Sequence, residues 1–391
     1  GGHMIEEKEG SNGTSDGYLK KSLSALLFGS HLNVLLVCTP FVFVAQWGGW
    51  GDGWVFILSL LSIAPFAERL SFVTEQLAMH TSETLGGLLN ATFGNVTELI
   101  VSLFALKEGL LRIVQVSLLG SILSNLLLVL GCAFFAGGIK TRQQTYNRIA
   151  ASMNSAMLVI GIMCLCFPML LTATHEELDE QSSLTVSRVS SCLMLVVYGC
   201  YLVFQLVTHT DLFEGEEGEV DDDERILGAS GAVFWLAVIT FFIAILSEYM
   251  VDAIRGAAAE LQVPDLFLGT IIIPIVGNAA EHAAAIIFAA KNKMELSLGI
   301  AVGSATQIAL FVVPLCVVIA WFFDVPLSLD FHPFETGCLL LTVMLVACIT
   351  QTGESNWLQG LMLIVAYCIV SVGFFFHVDD PTRVVRALDE L

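Results

Sequence analysis

Residues 94–98 read Gly-Asn-Val-Thr-Glu, and residues 277–281, which lie 183 positions later, read Gly-Asn-Ala-Ala-Glu. Three of the six identities at this offset are polar, and polar side chains are expensive in an apolar segment, so chance is a poor explanation. We therefore predict an internal repeat. The remaining identities fall at the same offset without a gap: Gly86 with Gly269, and Gly120-Ser121 with Gly303-Ser304.

The amino-acid composition indicates whether this repeat lies in water or in a membrane. Of the 391 residues 56% are apolar and only 14% are charged, whereas soluble domains carry about 25% charge. The 37 acidic and 16 basic residues give a net charge of −21. A disordered acidic protein would lack the apolar bulk, and a nucleic-acid binder would need basic surface. The composition therefore predicts an integral membrane protein.

A helix that crosses a bilayer needs about 20 mostly apolar residues, and the chain offers eleven such windows. Eight contain no Asp, Glu, Lys or Arg, and three carry charges inside. The predicted fold class is therefore an all-α integral membrane protein with 11 transmembrane helices. Their windows are M1 at 22–51, M2 at 53–79, M3 at 84–106, M4 at 113–139, M5 at 149–174, M6 at 189–210, M7 at 229–247 and beyond, M8 at 266–290, M9 at 296–323, M10 at 336–353 and M11 at 355–378.

The repeat assigns five helices to each half, M2–M6 and M7–M11, with M1 left over. Because five is odd, the two halves have opposite topology, and inverted repeats with a mid-membrane site are typical of secondary transporters. The predicted organisation is a polar tail with an expression scar, an extra helix, a first repeat, an acidic linker, a second repeat and a C-terminal tail. Their bounds are 1–19, 20–52, 53–210, 211–228, 229–378 and 379–391.

The duplicated motif predicts the chemistry. Asn95 shares a helix face with Glu98, and Asn278 with Glu281, because residues three apart are neighbours on a helix. A pseudo-two-fold axis would bring both pairs to one depth in the membrane. Ionised carboxylates are not sustained there alone, so either a divalent cation bridges them or protons neutralise them. That competition is the minimal chemistry of cation/proton antiport.

The ligand types indicate a hard cation. An oxygen-only set suits Ca²⁺, and Mn²⁺ stays open because it also binds oxygen. Polar residues of M4 and M9 complete the predicted ion- and proton-binding site, namely Ser121, Ser304 and Gln307, and Asn125 and Thr306 of the same windows are further candidate ligands. The two serines have a second explanation as small residues that allow close helix packing. We expect no resident cofactor, and Ca²⁺ enters as transported substrate.

Other charges divide into two groups. Arg69 and Arg255 are predicted to neutralise three acidic residues inside the spans: Glu68, Glu248 and Asp252. The linker carries nine acidic residues between 211 and 224. It is either a solvated hinge or a low-affinity collector of cations at the cytosolic mouth. The predicted collector comprises Glu75, Glu83, Glu216, Glu217, Glu219, Asp221, Asp222 and Asp223.

The doubled Gly-Asn-x-x-Glu motif, the Gly-Ser-Ala-Thr-Gln run at 303–307 and the acidic linker resemble the cation/proton exchanger branch of the calcium/cation antiporter superfamily. The resemblance covers about residues 20–378 and is strongest to the vacuolar calcium/proton exchangers of fungi. It implies that Glu98 and Glu281 carry Ca²⁺ and protons alternately. It also implies that the motif asparagines and Gln307 line the path, in a vacuolar membrane. Gly120-Ser121 lacks the Ala-Thr-Gln continuation, so the two Gly-Ser segments differ.

We therefore predict an antiporter, not an enzyme, that exchanges cytosolic Ca²⁺ for lumenal protons. The partners are Ca²⁺, protons and the lipid bilayer, without nucleic acid, and the sequence leaves oligomeric partners open. Nine basic residues against five favour a cytosolic N-terminus and a lumenal C-terminus. The alternatives are a Ca²⁺-permeable channel, since acidic rings also select cations, or a sodium-coupled calcium exchanger.

Overall fold

The computed structural model describes residues 22–27, 29–174, 180–210 and 226–377. Within these ranges nine helices are long and apolar enough to cross a membrane, and the number is 11 when two bent pairs each count as one span. The predicted all-helical fold is confirmed. The spans are M1 His31–Gly48, M2 Asp52–Ala78, M3 Glu83–Phe93 with Val96–Lys107, M4 Leu111–Lys140, M5 Arg148–Thr174, M6 Glu180–Val203 with Phe204–Thr208, M7 Ala229–Leu261, M8 Asp265–Gly277 with Ala279–Ala290, M9 Met294–Phe322, M10 Pro333–Thr350 and M11 Trp357–Phe376.

M4 lies at the centre of the molecule. In its most apolar window 83% of the residues are buried by protein, against 22% for M6 and M11. Lipid chains are as apolar as leucine, so outer helices keep large apolar side chains on their lipid-facing sides without cost. The core of the protein is therefore built around the central helices M2, M4 and M9, and the site lies among them.

The helix pairings obey a two-fold pattern. M2 packs against M7, and M5 packs against M10, so each of these helices meets its own repeat partner. M4 packs against M11, and its counterpart M9 packs against M6. M4 also contacts M8, as M9 contacts M3. These reciprocal contacts are the ones that two inverted five-helix repeats produce.

M2 and M7 are fastened to each other at both ends. At the end where M6 finishes and M7 begins, here called the linker end, Gln76 Oε1 accepts hydrogen bonds from the backbone N–H groups of Ile226 and Leu227 at 2.8 and 3.0 Å. At the far end the carboxylate of Glu260 accepts from the N–H groups of Asp52 and Gly53 at 3.2 and 2.9 Å. The Glu260 contact satisfies backbone donors that the start of M2 leaves without a partner, and the Gln76 contact satisfies donors of the segment just before M7.

M1 is not the single continuous helix that its apolar window predicts. A helical segment at 22–27 is separated from the 3₁₀ turn His31–Val37 and the helix Cys38–Gly48. Two side chains donate to carbonyl groups near the break, because lipid offers them no donor. Asn33 Nδ2 donates to Leu26 O at 2.8 Å, and Arg69 Nη1 of M2 donates to Ala25 O at 3.2 Å.

The predicted charge pairing is correct for M2 and wrong for M7. Arg69 forms an ion pair with Glu68 at 3.2 Å. Glu248, however, is paired with Lys107 of M3 at 2.8 Å and not with Arg255. The end of M3 lies beside M7, which brings a lysine from outside the helix closer than the arginine two turns away on the same helix.

Two short segments join the loops of the two halves at the linker end. Gln144–Thr145, between M4 and M5, pairs antiparallel with Glu354–Ser355, between M10 and M11. The pairing ties the first repeat to the second away from the site, and it is the sole strand pairing among the residues that the structure describes.

Candidate ion-binding site

Both copies of the duplicated motif lie at a break in a membrane span. M3 bends by 41° between Phe93 and Val96, and M8 bends by 53° between Gly277 and Ala279. The motif asparagine is the residue before the second half-helix in each case, and the motif glutamate falls in that half-helix's first turn. A helix start presents free N–H groups and the positive end of the helix dipole. The break therefore favours an ionised carboxylate at each motif.

M4 and M9 carry related irregularities beside these breaks. A π-helical segment, Ser124–Val129, interrupts M4, and another, Ile308–Val312, interrupts M9. The two segments begin at nearly equivalent positions of the repeat, shortly after Ser121 and Ser304. Single π turns inside helices occur frequently at functional sites, because they redirect the side chains on either side.

Two cavities meet at Glu98. Glu98, Ser121 and Asn278 are in the wall of the first. The second is lined by both motif glutamates. Three residues belong to both walls: Thr97, Glu98 and Gly277.

The two cavities lie on opposite sides of Glu98 along the length of M2. The first contacts Leu60 and Ile63 of M2, which are nearer the far end of the molecule. The second contacts Leu70 and Ser71 of M2, which are nearer the linker end. The carboxyl group of Glu98 therefore stands between a cavity toward each side of the membrane.

Two hydrogen bonds connect the predicted site residues. Ser304 Oγ donates to Glu281 Oε1 at 2.7 Å, and Asn95 Nδ2 donates to Gln307 Oε1 at 2.5 Å. The second bond joins M3 to M9 and so crosses between the repeats. Ser121 is buried and lines the first cavity with Glu98. The structure thus brings all seven predicted site residues into one region.

Several buried oxygen atoms of the site have no hydrogen-bond partner among the residues that the structure describes. Leaving a buried polar atom without a partner costs free energy, and buried polar groups in proteins nearly always have a partner. The orphaned acceptors are Glu98 Oε2, Glu281 Oε2, Asn95 Oδ1, Asn278 Oδ1 and Asn125 Oδ1. Carboxylate and amide oxygens are the ligands that Ca²⁺ takes, so this donor set suits a hard cation.

One further candidate from the sequence joins the site, and one residue lies there that the sequence did not suggest. Asn125 is completely buried in M4 and approaches Glu281. Its repeat equivalent is Ile308, so the repeat gives no signal for it, and its polarity inside an apolar window is the available clue. Thr97 lines both cavities from inside the motif, at a position where the second copy has alanine.

Close packing explains one glycine of the repeat. A Cβ added to Gly120 of M4 would lie 2.1 Å from the carbonyl oxygen of Thr270 in M8, whereas one added to Gly303 meets nothing within 4 Å. Pro274 cannot donate to this carbonyl four residues earlier. The Thr270 carbonyl packs against M4 instead.

The predicted cation collector is largely outside the described residues. Its six linker members lie there, and the side chain of Glu83 is also not described. Glu75 is exposed near the linker end of M2. The collector therefore stays a prediction.

Comparisons with known proteins agree with this geometry. The family model described as "Sodium/calcium exchanger protein" matches residues 51–207 and 231–376. The chain is 49% identical over 371 residues to the "Vacuolar cation/proton exchanger 2" of Oryza sativa subsp. japonica, covering 92% of this chain and 85% of the relative.

Two solved structures are similar to the fold. The crystal structure of the selenium-substituted "Ca2+/H+ antiporter protein YfkE" has a TM-score of 0.75 at 36% identity, covering 88% of this chain and 99% of the other. The "H+/Ca2+ Exchanger CAX" has a TM-score of 0.67, covering 92% and 93%. Its identity of 14% limits that likeness to the fold.

Proposed function

The chain belongs to the sodium/calcium exchanger protein family, and from that premise we propose that it is a secondary antiporter that exchanges Ca²⁺ for protons across the membrane of an acidic organelle, the vacuole. The observation that carries the proposal is the set of orphaned buried oxygens between two oppositely placed cavities. The printed names of the relative from rice and of YfkE support the cation and the proton. In the proposed orientation the N-terminus and the linker end face the cytosol, and the far end and the C-terminus face the lumen.

The proposed cation site draws on both repeats. Glu98 and Glu281 supply charge, and the amide oxygens of three asparagines supply further ligands: Asn95, Asn278 and Asn125. Ca²⁺ accepts six to eight oxygens in flexible geometry, so backbone carbonyls or water complete the shell. The motif carboxylates exchange Ca²⁺ for protons, whereas the amides do not titrate and bind only the cation. Mn²⁺ is a second candidate cargo on the same chemistry.

Ser304 and Gln307 act through other residues. The Ser304 hydroxyl holds one carboxylate oxygen of Glu281, which leaves Oε2 directed to the cation. Gln307 accepts from Asn95 Nδ2, which fixes the amide so that its Oδ1 is the atom left for the ion. Both are therefore positioning residues. Ser121 of M4 lines the same cavity as Glu98, and we assign it the corresponding positioning role for the Glu98 carboxylate.

The exchange follows from competition for two carboxylates. From the near-neutral cytosol the ionised glutamates take up Ca²⁺, since a cation offsets the cost of burying their charge. When the site faces the acidic lumen, protons neutralise the same carboxylates and the ion leaves. Return of the protonated site to the cytosol releases the protons. A site that holds either Ca²⁺ or protons couples the two fluxes.

The moving parts are proposed from the packing. M2 and M7 are joined at both ends. M2 lines the cavities on both sides of Glu98, and Met250 of M7 lines the first. We propose that this pair moves as one body against M3 and M8, opening one cavity while it closes the other. The half-helices that carry the glutamates would then stay in place.

The test is Ca²⁺ uptake by reconstituted vesicles with an acidic interior. Glu98→Gln and Glu281→Gln remove the charge and keep the size, so each is expected to abolish uptake. Glu295→Gln makes the same chemical change in the first turn of M9, outside both cavities, and is expected to leave uptake unchanged. Elution as a single species shows that each variant is folded. Substantial uptake by either motif variant would contradict the proposed site.

A further inference from the structure

A second group of metal-ligating side chains lies at the far end of the molecule, away from the transport site. His332 and Glu335 stand at the start of M10, and His377 follows the end of M11. One ligand atom from each of these residues lies within 4.8 Å of the other two. None of the three lines either cavity at Glu98. The cluster is therefore separate from the proposed Ca²⁺ path.

We infer that His332, Glu335 and His377 form a binding site for a divalent transition metal of the Zn²⁺ class, which ties the start of M10 to the end of M11. Two imidazoles and one carboxylate are a known ligand set for Zn²⁺ with an open fourth position. Ca²⁺ prefers an all-oxygen shell, so the nitrogen ligands separate this site chemically from the one between the repeats.

Metal binding would require the three ligand atoms to move only slightly closer together. Bonds of about 2.0–2.2 Å in a tetrahedral site place the ligand atoms roughly 3.4 Å apart, so the observed limit of 4.8 Å requires side-chain shifts of about 1 Å. The ring of His377 is stacked on Phe334 with 4.8 Å between centroids, which limits its freedom before the metal binds. His332 is the residue that caps M10, so its backbone is fixed by the helix start.

Arg112 of M4 influences how tightly the site binds a metal ion. Its guanidinium forms an ion pair with the fully buried Glu335 carboxylate and lies 3.5 Å from His332 Nδ1, so a metal would bind His332 through Nε2. Glu335 Oε2 also accepts from the N–H of His332 at 3.1 Å. Hydrogen bonds of this kind orient a carboxylate that binds metal. The positive charge of Arg112 opposes a second cation, however, so the site is expected to bind more weakly than a structural zinc site and to exchange its metal.

The test uses the full chain in detergent, with Glu98→Gln and Glu281→Gln present to silence the transport site. Zn²⁺ alone is titrated by calorimetry and by thermal unfolding. His377→Phe keeps the aromatic stack on Phe334 and removes the ligand. His332→Asn keeps a good capping residue and removes the other imidazole. Each is expected to weaken Zn²⁺ binding at least about tenfold and to remove the rise in Tm.

His209→Phe is the matched control, because His209 is also a histidine stacked on a phenylalanine, Phe204, and lies outside the cluster. It is expected to bind Zn²⁺ as the parent protein does. Co²⁺ gives a second readout, since a tetrahedral site with two imidazoles produces visible absorption that both histidine variants would lose. Zn²⁺ binding that is unchanged in His377→Phe and His332→Asn, or equally weakened in His209→Phe, would overturn the inference.

Discussion

Asn95 of M3 donates a hydrogen bond of 2.5 Å from its amide nitrogen to the side-chain oxygen of Gln307 in M9. The two residues belong to different repeats, and the bond leaves Asn95 Oδ1 as an orphaned acceptor in the site. The repeat-equivalent asparagine, Asn278, has no hydrogen-bond partner on either amide atom within the described part of the chain. Both repeats therefore contribute a glutamate to the site, but only one of the two motif asparagines is held by a side-chain hydrogen bond.

Removal of the Gln307 acceptor tests this asymmetry. In Gln307→Met the amide of Asn95 loses its partner and turns freely, so one oxygen ligand is no longer held toward the cation. One hydrogen bond contributes about 1 kcal/mol, and we expect the KM for Ca²⁺ uptake to rise roughly 5- to 10-fold, with the maximal rate reduced less. Gln351→Met, at an exposed position after M10, is the control. An unchanged KM in Gln307→Met would contradict the positioning role proposed for Gln307.

The two serines of the Gly-Ser segments should differ in importance. Ser304 donates to the carboxylate of Glu281, whereas Ser121 lines the first cavity. Hydrogen bonds to charged groups contribute about 1.5–3 kcal/mol. Ser304→Ala is therefore expected to weaken Ca²⁺ affinity about tenfold or more, and Ser121→Ala is expected to do so by a smaller factor. Equal losses in the two variants, measured as KM in the same vesicles, would show that the repeat is functionally symmetric.

The close contact between M4 and M8 predicts a stability difference between equivalent glycines. In Gly120→Ala the new methyl group would meet the Thr270 carbonyl at 2.1 Å, and the two helices would have to separate. Overpacking of this kind typically costs 1–3 kcal/mol. Gly303→Ala is the natural control, because its methyl group would meet no atom within 4 Å. Thermal unfolding should show a lower Tm for Gly120→Ala alone. A similar Tm in both variants would contradict the packing described for these helices.

The acidic linker gives a prediction that rests on charge alone. Replacement of its nine acidic residues between 211 and 224 by Asn and Gln keeps the length and removes the negative field that would attract cations to the cytosolic mouth. We expect a higher KM for Ca²⁺ at low ionic strength with an unchanged maximal rate. The difference from the parent should shrink as salt is raised, because screening weakens long-range attraction. An unchanged KM at low ionic strength would contradict cation collection and favour the interpretation of the linker as a hinge.

The sequence predicts the number of spans and the position of the site because both depend on strong local signals. Apolar windows of about 20 residues specify membrane helices, and a duplicated Asn and Glu in such windows is costly unless the residues are functional. The breaks of M3 and M8 at Asn95 and Asn278 agree with the glycines and the proline found near them in the sequence.

Features that depend on packing between distant segments are not predictable in this way. The break in M1 is accompanied by a hydrogen bond from Arg69, 44 residues further along the chain from Ala25. Glu248 is paired with Lys107 from the other repeat. Thr97 has an alanine partner in the repeat, so it carries no signal in the sequence, and the approach of Asn125 to Glu281 depends on how M4 packs. Contacts of this kind appear only when the helices are assembled.

The proposed competition of Ca²⁺ and protons for Glu98 and Glu281 is best examined by simultaneous measurement of both ions. Vesicles with an acidic interior are loaded with a pH dye and a Ca²⁺ dye, and Ca²⁺ is added outside. If Ca²⁺ displaces protons from these carboxylates, Ca²⁺ entry and alkalinisation of the interior begin together, and both are lost in Glu281→Gln. A protonophore that removes the pH gradient stops accumulation above the outside concentration. Ca²⁺ accumulation without proton exit, or accumulation above the outside concentration that persists with a protonophore and no other gradient, would contradict exchange.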